Sequence, residues 1–132
     1  MAQYVYPAVF TREKSGLYAV DFPDIPGCYT CGDTLAKAIY MAEDVLAFTL
    51  YDYEREEKEP PKASDTKTIK TDKASFINLI MCDTMEYQKR NNKKAIKKTL
   101  TIPEWLNEAA MKANLNFSQI LQDALKTKLD VS

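Results

Sequence analysis

Apolar positions follow two rhythms along this chain, a strand-like one and a helical one. Tyr4 to Phe10 is rich in aromatic and branched residues and predicts a strand. Arg12-Glu13-Lys14-Ser15-Gly16 is polar and ends in glycine, as a hairpin loop does. Leu17 to Phe22 alternates and predicts the return strand. Phe22-Pro23-Asp24-Ile25-Pro26-Gly27 cannot be regular, because two prolines and a glycine break any ladder. Cys28 to Cys31 predicts a short third strand. Beyond Gly32, with Asp33 or Thr34 as cap, Leu35, Ala38, Ile39, Ala42, Val45, Leu46 and Leu50 fall at helical spacing. That helix should run to about Tyr53, ahead of the charged stretch Glu54–Glu59 and Pro60-Pro61. Residues 60–74 are polar and predict a loop. Phe76 to Cys82 is a compact apolar run and predicts a fourth, buried strand, with a short helix over Asp83–Arg90.

The pattern changes after the polar link Asn91-Asn92-Lys93-Lys94. Ile96 to Ile102 alternates, with Leu100 and Ile102 on one face and Lys97, Thr99 and Thr101 on the other. Pro103 suits the first position of a helix, along which Leu106, Ala109, Ala110 and Ala113 form an apolar stripe. Asn114 can end it in a left-handed conformation. Asn116 caps a second helix, where Gln119 can bond back to it. Phe117, Ile120, Leu121, Ala124 and Leu125 form the second stripe. One strand and two helices in so few residues cannot bury a core alone. Pairing the strand with its twin from a second chain satisfies the backbone and doubles the core. The resulting two-stranded ribbon fits a DNA major groove. The domains are therefore placed at 1–90 and 96–132, with a linker at 91–95.

Charge sharpens this division. The chain of 132 residues is nearly neutral, with a formal net charge of −1. Residues 1–59 hold 5 Lys/Arg against 11 Asp/Glu, and residues 86–132 hold 9 against 5. An acidic half suits a basic macromolecule and a basic half suits phosphates. No apolar run approaches the ~20 residues of a membrane span, and the first residues lack the pattern of a secretory signal. Three cysteines, an odd number, fit a reducing compartment better than a disulfide framework. The expected location is the cytoplasm, with no membrane partner.

Two resemblances follow. Lys98-Thr99-Leu100-Thr101-Ile102-Pro103, followed by Asn114 to Leu125, resembles the ribbon-helix-helix family. By that resemblance Lys97, Thr99 and Thr101 face the bases of double-stranded operator DNA. Asn116, Phe117 and Ser118 then supply a helix N-terminus for a phosphate. The N-terminal signature comprises Tyr6-Pro7-Ala8-Val9-Phe10, Gly16 to Cys28, Gly32-Asp33-Thr34-Leu35 and Ala38. Together with Phe76–Tyr87 and the C-terminal unit, it resembles the HicB antitoxins of type II toxin–antitoxin systems, over nearly the whole chain. The resemblance implies an α+β chain with a partial ribonuclease-H-like N-terminal domain, without nuclease activity. It implies neutralisation of a HicA-type mRNA-cleaving toxin and repression of the operon encoding both. The expected assembly is a homodimer, or a tetramer built on it. Charge alone nominates Asp21, Asp24, Asp33, Glu43 and Asp44 as toxin contacts.

Other chemistries fit less well. Two-metal hydrolysis needs converging carboxylates; Asp21, Asp24 and Asp83 are the nearest to a set, and the chain has no histidine. Cys28 and Cys31 lie three apart, so on a strand they point to opposite faces, and only Cys82 adds a third ligand to the four of structural zinc. No catalytic residue, metal or cofactor is expected. A stand-alone ribbon-helix-helix regulator with an N-terminal sensor domain is the alternative function.

Overall fold

The computed structural model describes residues 2–132, and the chain divides into two compact units at Lys94/Ala95. The first is a mixed α+β layer. Strands β1 (Gln3–Arg12), β2 (Tyr18–Asp21), β3 (Tyr29–Gly32) and β4 (Ser75–Asp83) form one antiparallel sheet in the order β3-β2-β1-β4. Helix α1 (Leu35–Arg55) and helix α2 (Thr84–Asn91) complete the unit. Thr34, rather than Asp33, caps α1 by accepting from the Lys37 amide at 3.1 Å. The helix runs two residues past Tyr53 and ends where Glu57 turns left-handed, at φ 55°.

The core lies between α1 and one face of the sheet. Tyr6, Ala8 and Phe10 of β1, Val20 of β2 and Ile80 and Cys82 of β4 meet Ala38, Ala42, Leu46, Ala47 and Leu50 of α1. Phe22 and Ile25, from the proline-rich loop, close one end. Each fully buried Phe, Ile or Leu contributes roughly 1.5–3 kcal/mol.

Residues 60–68 are pinned against this unit. The Tyr6 hydroxyl donates to the Pro61 carbonyl, and Ser64 donates from its backbone and its hydroxyl to Asp24. A single 3-10 turn, Thr66–Thr68, interrupts the predicted loop. The prediction for β4 needs a correction. It is a strand, but among its residues only Ile80 and Cys82 are buried. It lies at the sheet edge with the helix layer on one side, so alternate side chains point away from the core. Val5, Leu79 and Met81 are consequently exposed, and Val5 pairs with Met81.

The second unit contains helices α3 (Glu104–Lys112) and α4 (Phe117–Leu129). Pro103 stands one place before the expected position, as the cap whose carbonyl accepts from the Asn107 amide at 3.1 Å. Asn114 has φ 54°, and the Leu115 amide returns to the Ala110 carbonyl at 3.1 Å, which closes α3 in a Schellman turn. Asn116 accepts from the Gln119 amide at 3.0 Å. The reciprocal bond expected from the Gln119 side chain is absent, because that amide donates to Asp123 at 2.9 Å, one turn on.

Residues 95–102 form no regular structure, and among the described residues they make no backbone hydrogen bond. A strand is defined by its neighbour, and the single chain offers this segment none.

Candidate functional site

The C-terminal unit presents a surface with no interior. None of its residues is buried. Leu100 is 54% exposed, Ile102 44%, Trp105 69% and Ile120 47%. Leu106, Phe117 and Leu125 are exposed as well, so the apolar stripes of both helices and the inner face of the 96–102 segment face solvent. Continuous exposure of that kind marks an interface.

Lys97, Thr99 and Thr101 are exposed and occupy alternate positions of the extended segment. At the start of α4 the Asn116 carboxamide takes the Gln119 amide. The Phe117 and Ser118 amides have no hydrogen-bond acceptor among the described residues. Unsatisfied amides at a helix start carry a partial positive charge and suit an anion. Ser118 accepts from the Gln122 side chain at 3.2 Å, which holds its hydroxyl over the first turn.

The five nominated acids of the N-terminal unit do not form one cluster. Asp21 ends β2 and pairs with Tyr29 of β3, on the sheet face away from α1. Asp33 precedes α1 and faces Lys37 at 3.9 Å. Glu43 is exposed on α1, and Asp44 beside it is half-buried. Asp24 is engaged with Ser64, so its carboxylate fastens the 60–68 segment.

Glu43 has acidic company that sequence reading did not nominate as a binding surface. With Gln3, Asp83, Glu86 and Arg90 it lines a crevice of about 110 Å³. Asp83 also caps α2, accepting from the Met85 amide at 2.9 Å. Cys82 lies at the base of this crevice, its thiol pushed up to about 12 by burial first and then by Glu43 and Asp83. The crevice joins residues forty apart, and no local spacing announces it.

Cys28 and Cys82 are buried and Cys31 is exposed. Among the described residues no group of three His, Cys, Asp or Glu is placed to hold a metal ion. Among the described residues no helix is long and apolar enough to cross a membrane.

Residues 6–125 match the family model described as the HicB-like antitoxin of bacterial toxin–antitoxin systems. Antitoxin HicB 2 of Photorhabdus laumondii is 33% identical over 89 residues, covering 66% of this chain and 63% of its own. A 14.9 kDa protein of Haemophilus phage HP1 is 33% identical over 60 residues, or 44% of its length. The matched stretches thus span less than two thirds of these relatives. The chain superposes on a chain of a toxin–antitoxin complex from Streptococcus pneumoniae with a TM-score of 0.61 and 30% identity, over 96% of this chain and 99% of that one. Its match to a chain of the HicA3–HicB3 toxin–antitoxin complex covers 61% of this chain, at a TM-score of 0.50 and 23% identity, and speaks to the fold alone. With all but a few residues at each end matched to one family model, the chain belongs to the HicB-like antitoxin family of bacterial toxin–antitoxin systems.

Proposed function

We propose that this protein neutralises a HicA-type mRNA-cleaving toxin by direct binding and represses its own operon in the cytoplasm. Residues 1–90 are the toxin-binding domain, of partial ribonuclease-H-like type. Residues 91–95 link it to a ribbon-helix-helix domain, 96–132. The observation that carries the DNA-binding half is a C-terminal unit without a single buried residue. A second copy would cover both helix stripes and pair the 96–102 segments into a ribbon. Lys97, Thr99 and Thr101 would then meet base edges, and the Asn116–Ser118 turn would hold a phosphate. Lysine and threonine offer fewer base bonds than arginine or asparagine, so each good contact supplies roughly 1–3 kcal/mol of discrimination.

The toxin-binding half draws on family membership and on the acidic character of residues 1–59. An RNA-cleaving toxin needs a basic surface, and acids such as Asp21, Asp33, Glu43 and Asp44 would cover it. Asp24 serves this role indirectly, by fixing the loop. The test separates the two tasks. Alanine at Lys97, Thr99 and Thr101 should abolish operator binding while growth rescue against the co-expressed neighbouring toxin persists. Loss of both activities together contradicts a two-module protein.

A further inference from the structure

Most cations of the C-terminal half precede helices α3 and α4. From Pro103 to Ser132 three lysines stand against four acids, net −1. Arg90 to Lys98, nine residues, holds Arg90, Lys93, Lys94, Lys97 and Lys98 and no acid. All nine are exposed. Among the described residues Lys37, Arg55, Lys58 and Lys89 each sit within ion-pair distance of a carboxylate, and none of these five does. From Asn92 onward the segment has no regular structure until α3.

Duplex affinity comes chiefly from cations that displace condensed counterions at the phosphates. Two copies of the helical part would bring a net negative charge to DNA, and the free amides of α4 would have to overcome it. Two copies of the Arg90–Lys98 segment would bring ten cations and no carboxylate of their own, although Arg90 also lines the crevice of Glu43, Asp83 and Glu86.

We infer that Arg90, Lys93 and Lys94 form a phosphate-gripping arm that supplies most of the protein's affinity for DNA, whatever its sequence. The inference rests on the reading that the 96–102 segments pair and lie in a duplex groove. In an antiparallel ribbon the two N-terminal extensions leave at opposite ends, so the arms flank the contacted bases on both sides. Arg90 stands in the last turn of α2, and the three irregular residues Asn92 to Lys94 that follow reach ~10 Å, enough to follow neighbouring phosphates of one strand. The arm anchors without reading sequence, and Thr99 and Thr101 read sequence without anchoring.

Fluorescence anisotropy of the full chain tests this on two duplexes, one from the DNA upstream of its own gene and one of random sequence, across a salt series. R90Q/K93Q/K94Q should bind both duplexes about tenfold or more weakly, with the salt slope of log affinity shallower by up to ~5, from six cations per dimer at ~0.9 each. R90K/K93R/K94R should keep the original slope, since it keeps the charge. T99A/T101A should lose the preference between duplexes at an unchanged slope. A glutamine variant with the parental slope and affinity overturns the arm alone. An unaltered chain that binds neither duplex overturns both the arm and the groove reading.

Discussion

At the scale of single residues, Gly32 decides how closely α1 can approach the sheet. A Cβ built there would stand 2.4 Å from the Ala38 backbone nitrogen and 2.7 Å from its Cα. Backbone cannot yield as a flexible side chain does, so any larger residue would push the start of α1 off β3. The Gly32-Asp33-Thr34-Leu35 and Ala38 signature thus has a physical meaning: a small residue at each point of contact and a cap between them. The thiols report the same layering. Burial raises Cys28 and takes Cys82 up to about 12, while Cys31 faces solvent. A thiol-specific reagent at pH 8 should therefore modify Cys31 alone in the native protein, and all three after unfolding. Rapid native labelling of Cys82 would mean that the core is open. Tyr4, raised to about 12 by burial and by its 2.9 Å bond to Glu54, behaves like Cys82. Both groups are neutral in the fold above the pH at which they ionise in the unfolded chain. Their contribution is complete below pH ~9 and lost as pH climbs toward 12, so the urea midpoint should hold steady near neutrality and decline in alkali.

At the scale of elements, α3 and α4 are well made and poorly housed. α4 starts on the Asn116 side-chain cap and α3 on Pro103 without one, both have ordered ends, and neither buries a residue. Caps and turns are local and supply roughly 1 kcal/mol apiece, far short of what ~35 residues need to stay folded. In the proposed dimer the missing stabilisation comes from burying the stripes between copies. Ile120→Ala and Leu125→Ala should each weaken the dimer by about 2–4 kcal/mol per site, read as a shift toward monomer in sedimentation equilibrium. Substitutions that leave the dissociation constant untouched would show that these stripes are not the interface. Element by element, strand and helix positions were legible because periodicity reports one-sided burial. The exposure of Leu79 and Met81 was not legible, since an apolar run reads alike on a central strand and on an edge.

At the scale of the molecule, the buried residues all fall between Tyr6 and Thr84. The N-terminal unit therefore owns a complete core, and the C-terminal one owns none. A chain cut after Asn92 should fold cooperatively, run as a monomer and still capture the toxin, while losing all affinity for DNA. Co-purification with the neighbouring toxin checks the first half, and a truncated chain that unfolds or releases the toxin counts against independent modules. The acidic crevice of Glu43, Asp83 and Glu86 with Arg90 belongs to this scale as well, since α1, β4 and α2 each contribute to it.

Sequence alone determined the rhythm of strands and helices, the caps at Thr34 or its neighbour and at Asn116, the left-handed end at Asn114, and the charge division. All of these are local preferences of the backbone or sums over composition, which need no knowledge of distant partners. Tertiary structure alone decided that β4 lies at an edge, that Asp24 is tied to Ser64, that Glu43 meets Asp83, and that Gly32 sits against Ala38. Each depends on which segments pair and how closely they pack, a matter of the whole energy of the fold. The 96–102 segment shows the limit of a single chain: its alternation calls for a strand, and among the described residues its backbone finds no hydrogen-bond partner.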